Sequence, residues 1–200
     1  MGRNDSQAHR SLDGVGTGRA ERAIAGIATV LFLAISLGVR GGVAKYRYSF
    51  LFLVPILWGV YALRRKLVLA PAHFALFAAA LLAHDLAAFG LYSRSFFGLR
   101  YDWYIHFAFG FVGGLVVARL LSIRLGLAGL LLALFVVLLI TGVGGLHEIV
   151  EWASSLALGK DYGMLNVGAT NPYDTQEDLL NNVLGSSAAC AVHLLRSGGR

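Results

Sequence analysis

Leu125–Leu146 reads LGLAGLLLALFVVLLITGVGGL, and Gly144–Trp152, which closes it, reads GGLHEIVEW. The first is the longest apolar run in the chain. As a helix rising ~1.5 Å per residue it covers about 33 Å, enough to cross the hydrocarbon core of a bilayer. Two carboxylates, Glu148 and Glu151, follow where that helix leaves the hydrocarbon. Ionisable groups at membrane depth are costly, so they face a bundle interior and have a partner. This stretch therefore sets the fold class: all-α, a polytopic transmembrane helical bundle whose interior has to accommodate acids.

The composition agrees. Of 200 residues, 57% are hydrophobic and only 14% charged, against about a quarter charged in a soluble domain. The mean hydropathy is +0.67. The net charge of +6 does not indicate nucleic acid. The basic residues lie in short clusters between apolar runs, which is how membrane topology is encoded. The expected partner is membrane lipid, with no nucleic acid. Cys190 is the single cysteine, so no internal disulfide can form, and it reads as a small buried apolar residue.

Outward from Leu125–Trp152, the same apolar pattern predicts about six spans in one domain, residues 23–197. They are Ala23–Val39, Tyr48–Leu63 with Pro55 as a tolerated kink, Leu67–Tyr92, Trp103–Ala118, Leu125–Trp152 and Leu179–Leu195. Met1–Arg22 is polar, Gly-rich and basic, and reads as a disordered cytoplasmic tail followed by an uncleaved anchor. With the N-terminus inside, eleven Lys and Arg fall on the cytoplasmic side and six outside. The positive-inside rule thus favours N-in and C-in.

Six alternating spans bring scattered polar residues to one depth, at the outer face. These are His84-Asp85, Asp102 with His106, His147-Glu148 with Glu151, and Asp174 to Asn182. Their spacings make helical stripes: Asp102/His106 and His147/Glu151 at i, i+4, Glu148/Glu151 at i, i+3, and Asp174, Asp178, Asn181 and Gly185 in one row. Bland readings accompany several of them. Asp174-Thr175-Gln176-Glu177 fits a capping box, with Asp174 as N-cap. Asp102 fits a cap of the fourth helix. His73 and His193 read as structural, and Trp103, Trp152, Tyr92, Tyr101 and Tyr104 as an aromatic belt.

Capping does not account for Glu148, Glu151, Asp178 and His106 together. Two glutamates one turn apart repel unless a cation, a shared proton or an arginine separates them. A divalent metal on Glu148, Glu151, His106 and Asp178 is one solution, and an imidazole among carboxylates suits Mn, Fe or Zn better than Ca. Arg100 is a second partner, and a shared proton the third. No intact H-E-x-x-H or H-x-x-E-H motif, no G-x-S-x-G and no P-loop occurs; H-E-x-x-E is a weak metal signal.

Arg100-Tyr101-Asp102, His106-Phe107, Glu148-x-x-Glu151-Trp152, Asp174-Thr175-Gln176-x-Asp178 and Asn182-x-x-Gly185 together resemble the YjdF-type family of bacterial inner-membrane proteins. They are more distantly similar to VanZ-like proteins, in which the position of Glu151 is usually a Gln. The match covers roughly residues 100–187. Carried over by position, the resemblance implies that Asp102, His106, Glu148, Glu151, Asp174, Gln176, Asp178, Asn182 and Gly185 form its site. It implies a small all-helical protein of the bacterial inner membrane, and the VanZ-like kinship hints at envelope chemistry.

Three functions compete. One is an envelope enzyme acting on a lipid or lipid-linked glycan, with Glu148 and Glu151 holding a metal or acting as acid and base, His106 carrying protons and Asp178 completing the set. Arg100, Asp102, Asp174, Gln176, Asn182 and Gly185 support it. Another is a non-catalytic scaffold in which the cluster is a polar latch. The third is a small proton-coupled transporter, although transporter sites lie nearer the midplane.

Overall fold

The computed structural model describes residues 18–39, 48–159 and 172–198. Six helices run through them: α1 Arg19–Gly38, α2 Phe50–Leu63, α3 Pro71–Asp85, α4 Tyr101–Leu125, α5 Gly129–Leu158 and α6 Asp174–Gly198. The expected basic tail falls outside the described residues as far as Thr17, as do Arg40, Lys45, Arg47 and Lys160. Arg19 and Arg22, expected in the tail, already belong to α1.

Four segments are long and apolar enough to cross a membrane: Arg19–Gly38, Pro71–Phe89, Tyr101–Leu125 and Gly129–Leu158. Helix α2 is apolar but has only 14 residues and carries Pro55 within it. Helix α6 has 25 residues, and Asp174, Glu177 and Asp178 near its start lower its hydropathy. Those polar turns face α4 and α5, as does the apolar part of the helix further on, through Ala189 and Cys190. Large apolar side chains such as Leu130, Leu138, Val143 and Leu146 point outward from α5. An outward apolar face of that extent fits lipid and does not fit water.

Helix α3 ends earlier than its apolar run. It stops at Asp85, and Leu86–Phe89 and Leu91–Ser93 are 3-10 turns separated by Gly90 at φ 79°. A two-stranded hairpin, β1 Ser95–Phe96 and β2 Leu99–Arg100, then leads straight into α4. Its turn residues Phe97 and Gly98 have φ of 53° and 81°, the double left-handed conformation a two-residue hairpin needs. Helix α4 in turn starts two residues before the expected Trp103 and runs to Leu125, seven beyond Ala118.

The bundle has two halves. Ala25, Phe32, Leu57, Phe74 and Leu81 form the core of α1–α3. Ala118, Leu132, Val136, Ile140 and Cys190 form that of α4–α6, which places the lone cysteine where its apolar setting predicts. Tyr101 joins the halves by donating to the carbonyl of Ala83 at 2.6 Å, and Arg119 does so at the far end through the carbonyl of Val68 at 2.9 Å.

The closest helix pair is α4 with α6, because small residues face each other. A Cβ on Gly110 would come within 2.7 Å of the Asn182 carbonyl oxygen, and one on Gly114 within 2.8 Å of the Ala189 Cβ. A Cβ on Gly185 would collide with the backbone of Phe107 and Phe111. Small residues spaced by one helical turn allow this approach within a membrane. Gly144 of α5 meets the Asn182 side chain, so all three helices of this half converge at Asn182.

Candidate functional site

Alternating helix direction puts the end of α3, the start of α4, the end of α5 and the start of α6 at one end of the bundle. The register of each helix then decides what points inward. On α5 the buried residues are Leu132, Val136, Ile140, Gly144 and Glu148. They recur every fourth residue, so Glu148 continues an apolar packing stripe. Asp178, Asn181 and Asn182 are buried on α6, as is His106 on α4.

An outer layer locks α6 to the hairpin. Arg100 donates to Asp174 Oδ1 at 2.7 Å and to Glu177 Oε2 at 2.6 Å. Trp103 Nε1 also donates to Glu177 Oε2, at 3.1 Å. Burial pulls the Arg100 guanidinium down, but the hydrogen bond and charge of Asp174, with Asp102 and Glu177, outweigh it and its pKa rises. Arg100 therefore serves this pair of acids, where the sequence had also offered it to Glu148 and Glu151.

Beneath that layer lies the inner cluster. His106 Nε2 stands 3.5 Å from Asp102 Oδ1 and 3.5 Å from Asp178 Oδ2. The His147 ring lies beside that of His106, with centroids 6.0 Å apart. His147 Nε2 meets Glu151 Oε1 at 3.1 Å. Thr175 donates to Glu148 Oε2 at 3.0 Å. The repulsion expected between Glu148 and Glu151 is thus relieved by divergence: one acid turns to α6, the other back along α5 to His147. In this cluster Asp178 Oδ1 and Glu148 Oε1 are buried with no hydrogen-bond partner among the described residues, as are both Glu21 oxygens and Asp85 Oδ2 elsewhere in the bundle. The tightest group able to hold a metal among the described residues is Asp102, His106 and Asp178, whose ligand atoms lie within 4.8 Å of one another.

Several residues singled out in the sequence have other places. Gln176 is exposed. Asn181 donates to the carbonyl of Glu177, bracing its own helix. Asn182 and Gly185 make the helix junction beneath the cluster. His84 Nδ1 contacts the Tyr92 hydroxyl at 2.7 Å, and Ser49 donates to Asp85 Oδ1, tying α2 to α3. Thr175 was legible only as a letter in a capping box. Its i, i+3 relation to Asp178, which puts both on one face, is the signal that could have found it.

A helical bundle with exposed apolar flanks and ionisable side chains gathered at one end is an integral membrane protein with a buried polar cluster. The family model described as predicted membrane protein (DUF2238) matches residues 21–198, and the chain belongs to that family. No curated protein and no solved structure matches the chain.

Proposed function

We propose that this protein is a membrane enzyme whose reaction centre is the inner cluster, acting on a lipid or lipid-linked glycan. One observation carries the reading: two acids with a buried oxygen that has no partner among the described residues, Asp178 and Glu148, gather around His106 and His147. A polar latch gains by satisfying every buried group, and half-satisfied networks cost stability. Here latching is already the work of Arg100 with Asp174 and Glu177. The inner acids are left with unused acceptor capacity close to an imidazole, the equipment of general acid–base chemistry. Glu148, Glu151, His106 and Asp178 remain the reacting set in this proposal, and Asp102 joins them through its place beside His106.

The narrower YjdF-type kinship belongs to the same proposal, as does an inner-membrane setting with a basic cytoplasmic segment ahead of α1, which takes in Arg19 and Arg22, and one membrane domain from α1 to α6. The cluster then lies at the outer-leaflet end of the bundle, the leaflet from which lipid substrates would approach it. The test compares lipid and lipid-linked glycan extracts from cells lacking the protein, cells restored with the wild type, and cells restored with Asp178→Asn at equal protein level. The expected outcome is a species that changes with the wild type and not with the variant. Identical extracts in all three, or a change that follows protein amount alone, would sink the enzyme reading.

A further inference from the structure

We propose that Asp102, His106 and Asp178 form a three-ligand site for a divalent first-row transition-metal ion. Three features of the geometry support it. The first is distance. Hydrogen bonds between nitrogen and oxygen lie near ~2.7–3.2 Å. Ligands at about 2.0–2.2 Å from a tetrahedral ion stand roughly 3.4 Å apart. His106 Nε2 is 3.5 Å from an oxygen of each aspartate, and all three ligand atoms lie within 4.8 Å of one another, close enough to share one ion.

The second is valence. One imidazole nitrogen carries at most one proton and cannot satisfy two carboxylates at once. Asp178 is 2% exposed, and its Oδ1 has no partner among the described residues. A bound cation supplies the partner that Asp178 lacks and shares the charge of Asp102.

The third is rigidity. His106 and Gly110 are one turn apart on α4, and Asp178 and Asn182 one turn apart on α6. Gly110 rests directly on the Asn182 backbone. The two ligand-bearing helices are therefore clamped one turn from the site, so the gap between ligands is held open by packing. Two carboxylates and one imidazole suit Zn, Mn or Fe(II), whereas Ca and Mg take oxygen ligands. Glu148 and Glu151 lie outside this ligand set, engaged with Thr175 and His147.

The site stands independently of the enzyme reading. Metal bound without any change in lipids would remove the enzyme and leave the site. The full chain, purified in detergent and stripped with chelator, is titrated with Zn2+ and separately with Mn2+, and retained metal is measured after gel filtration. One ion per chain is expected. Asp102→Asn and Asp178→Asn are expected to bind about tenfold more weakly or worse, while Glu177→Gln binds as the wild type does. Circular dichroism establishes that each variant is folded. Pulsed electron paramagnetic resonance of Mn2+ on the wild type needs no substitution, and coupling to an imidazole nitrogen is the signature expected of His106. The proposal is overturned if the wild type retains neither ion, if both folded aspartate variants bind like the wild type, or if bound Mn2+ shows no imidazole coupling.

Discussion

Asp178 and Glu148 each keep one buried carboxylate oxygen without a hydrogen-bond partner among the described residues, and this decides how their substitution should read. An unsatisfied buried polar group costs about 1–3 kcal/mol. Asp178→Asn keeps the shape and removes the acidic group, so the metal-free protein is expected to unfold at the same temperature as the wild type or higher. A stabilising substitution at a site of lost function is the usual mark of a strained functional group. Thermal unfolding in detergent after chelation measures it, and a loss above about 1 kcal/mol would show instead that Asp178 belongs to a satisfied structural network. At this scale the sequence was informative about pairs within one helix. Asp102 with His106 and His147 with Glu151 are fixed by helical periodicity alone. Across helices it offered only alternatives, a metal joining Glu148, Glu151, His106 and Asp178, or Arg100 beside the glutamates. Nothing in the spacing says that Thr175 takes Glu148, that Arg100 takes Asp174 and Glu177, or that Asp178 faces His106.

Among the elements, α4 and α6 depend on glycine for their approach, while α5 carries glycines that touch nothing. A Cβ on Gly110 would press on backbone of Asn182, which cannot rotate aside as a side chain can. Gly110→Ala should therefore cost about 1–3 kcal/mol, the range for forcing extra atoms into a packed interface. Gly142 has nothing within 4 Å of a Cβ, so Gly142→Ala should stabilise, by up to about 1 kcal/mol, through helix propensity. Unfolding of the two variants side by side checks both signs, and equal effects would mean that the α4–α6 contact is looser than described. The apolar runs located every one of these helices. The helix ends were less legible. Helix α3 stops at Asp85, although the sequence stays apolar to Tyr92, because 3-10 turns around Gly90 hand the chain to the hairpin. Helix α1 begins at Arg19, inside the expected tail, and buries Glu21 on its packed face.

For the whole molecule, alternating helices put the acidic cluster at one end of the bundle, and the proposed N-in orientation puts that end outside the cytoplasm. Alkaline phosphatase fusions at Lys45, Ser95 and Asp161 should then be active, and a fusion after Lys66 inactive. The reverse pattern would turn the cluster toward the cytoplasm and its lipid substrates with it. Composition and the apolar runs by themselves determined that the protein is an all-helical membrane bundle. Burial of apolar length is a local, additive property of a sequence. Helical periodicity likewise determined that Glu148 shares a stripe with Gly144 and Ile140. Only the tertiary structure decided that Glu148 and Glu151 part company, that Arg100 belongs to the outer latch, and that Asp102 rather than either glutamate stands beside His106 and Asp178. Those choices depend on how far α6 slides and turns against α4. That is set by contact between Gly110, Gly185 and the facing backbone, a relation between distant segments that no spacing along the chain encodes.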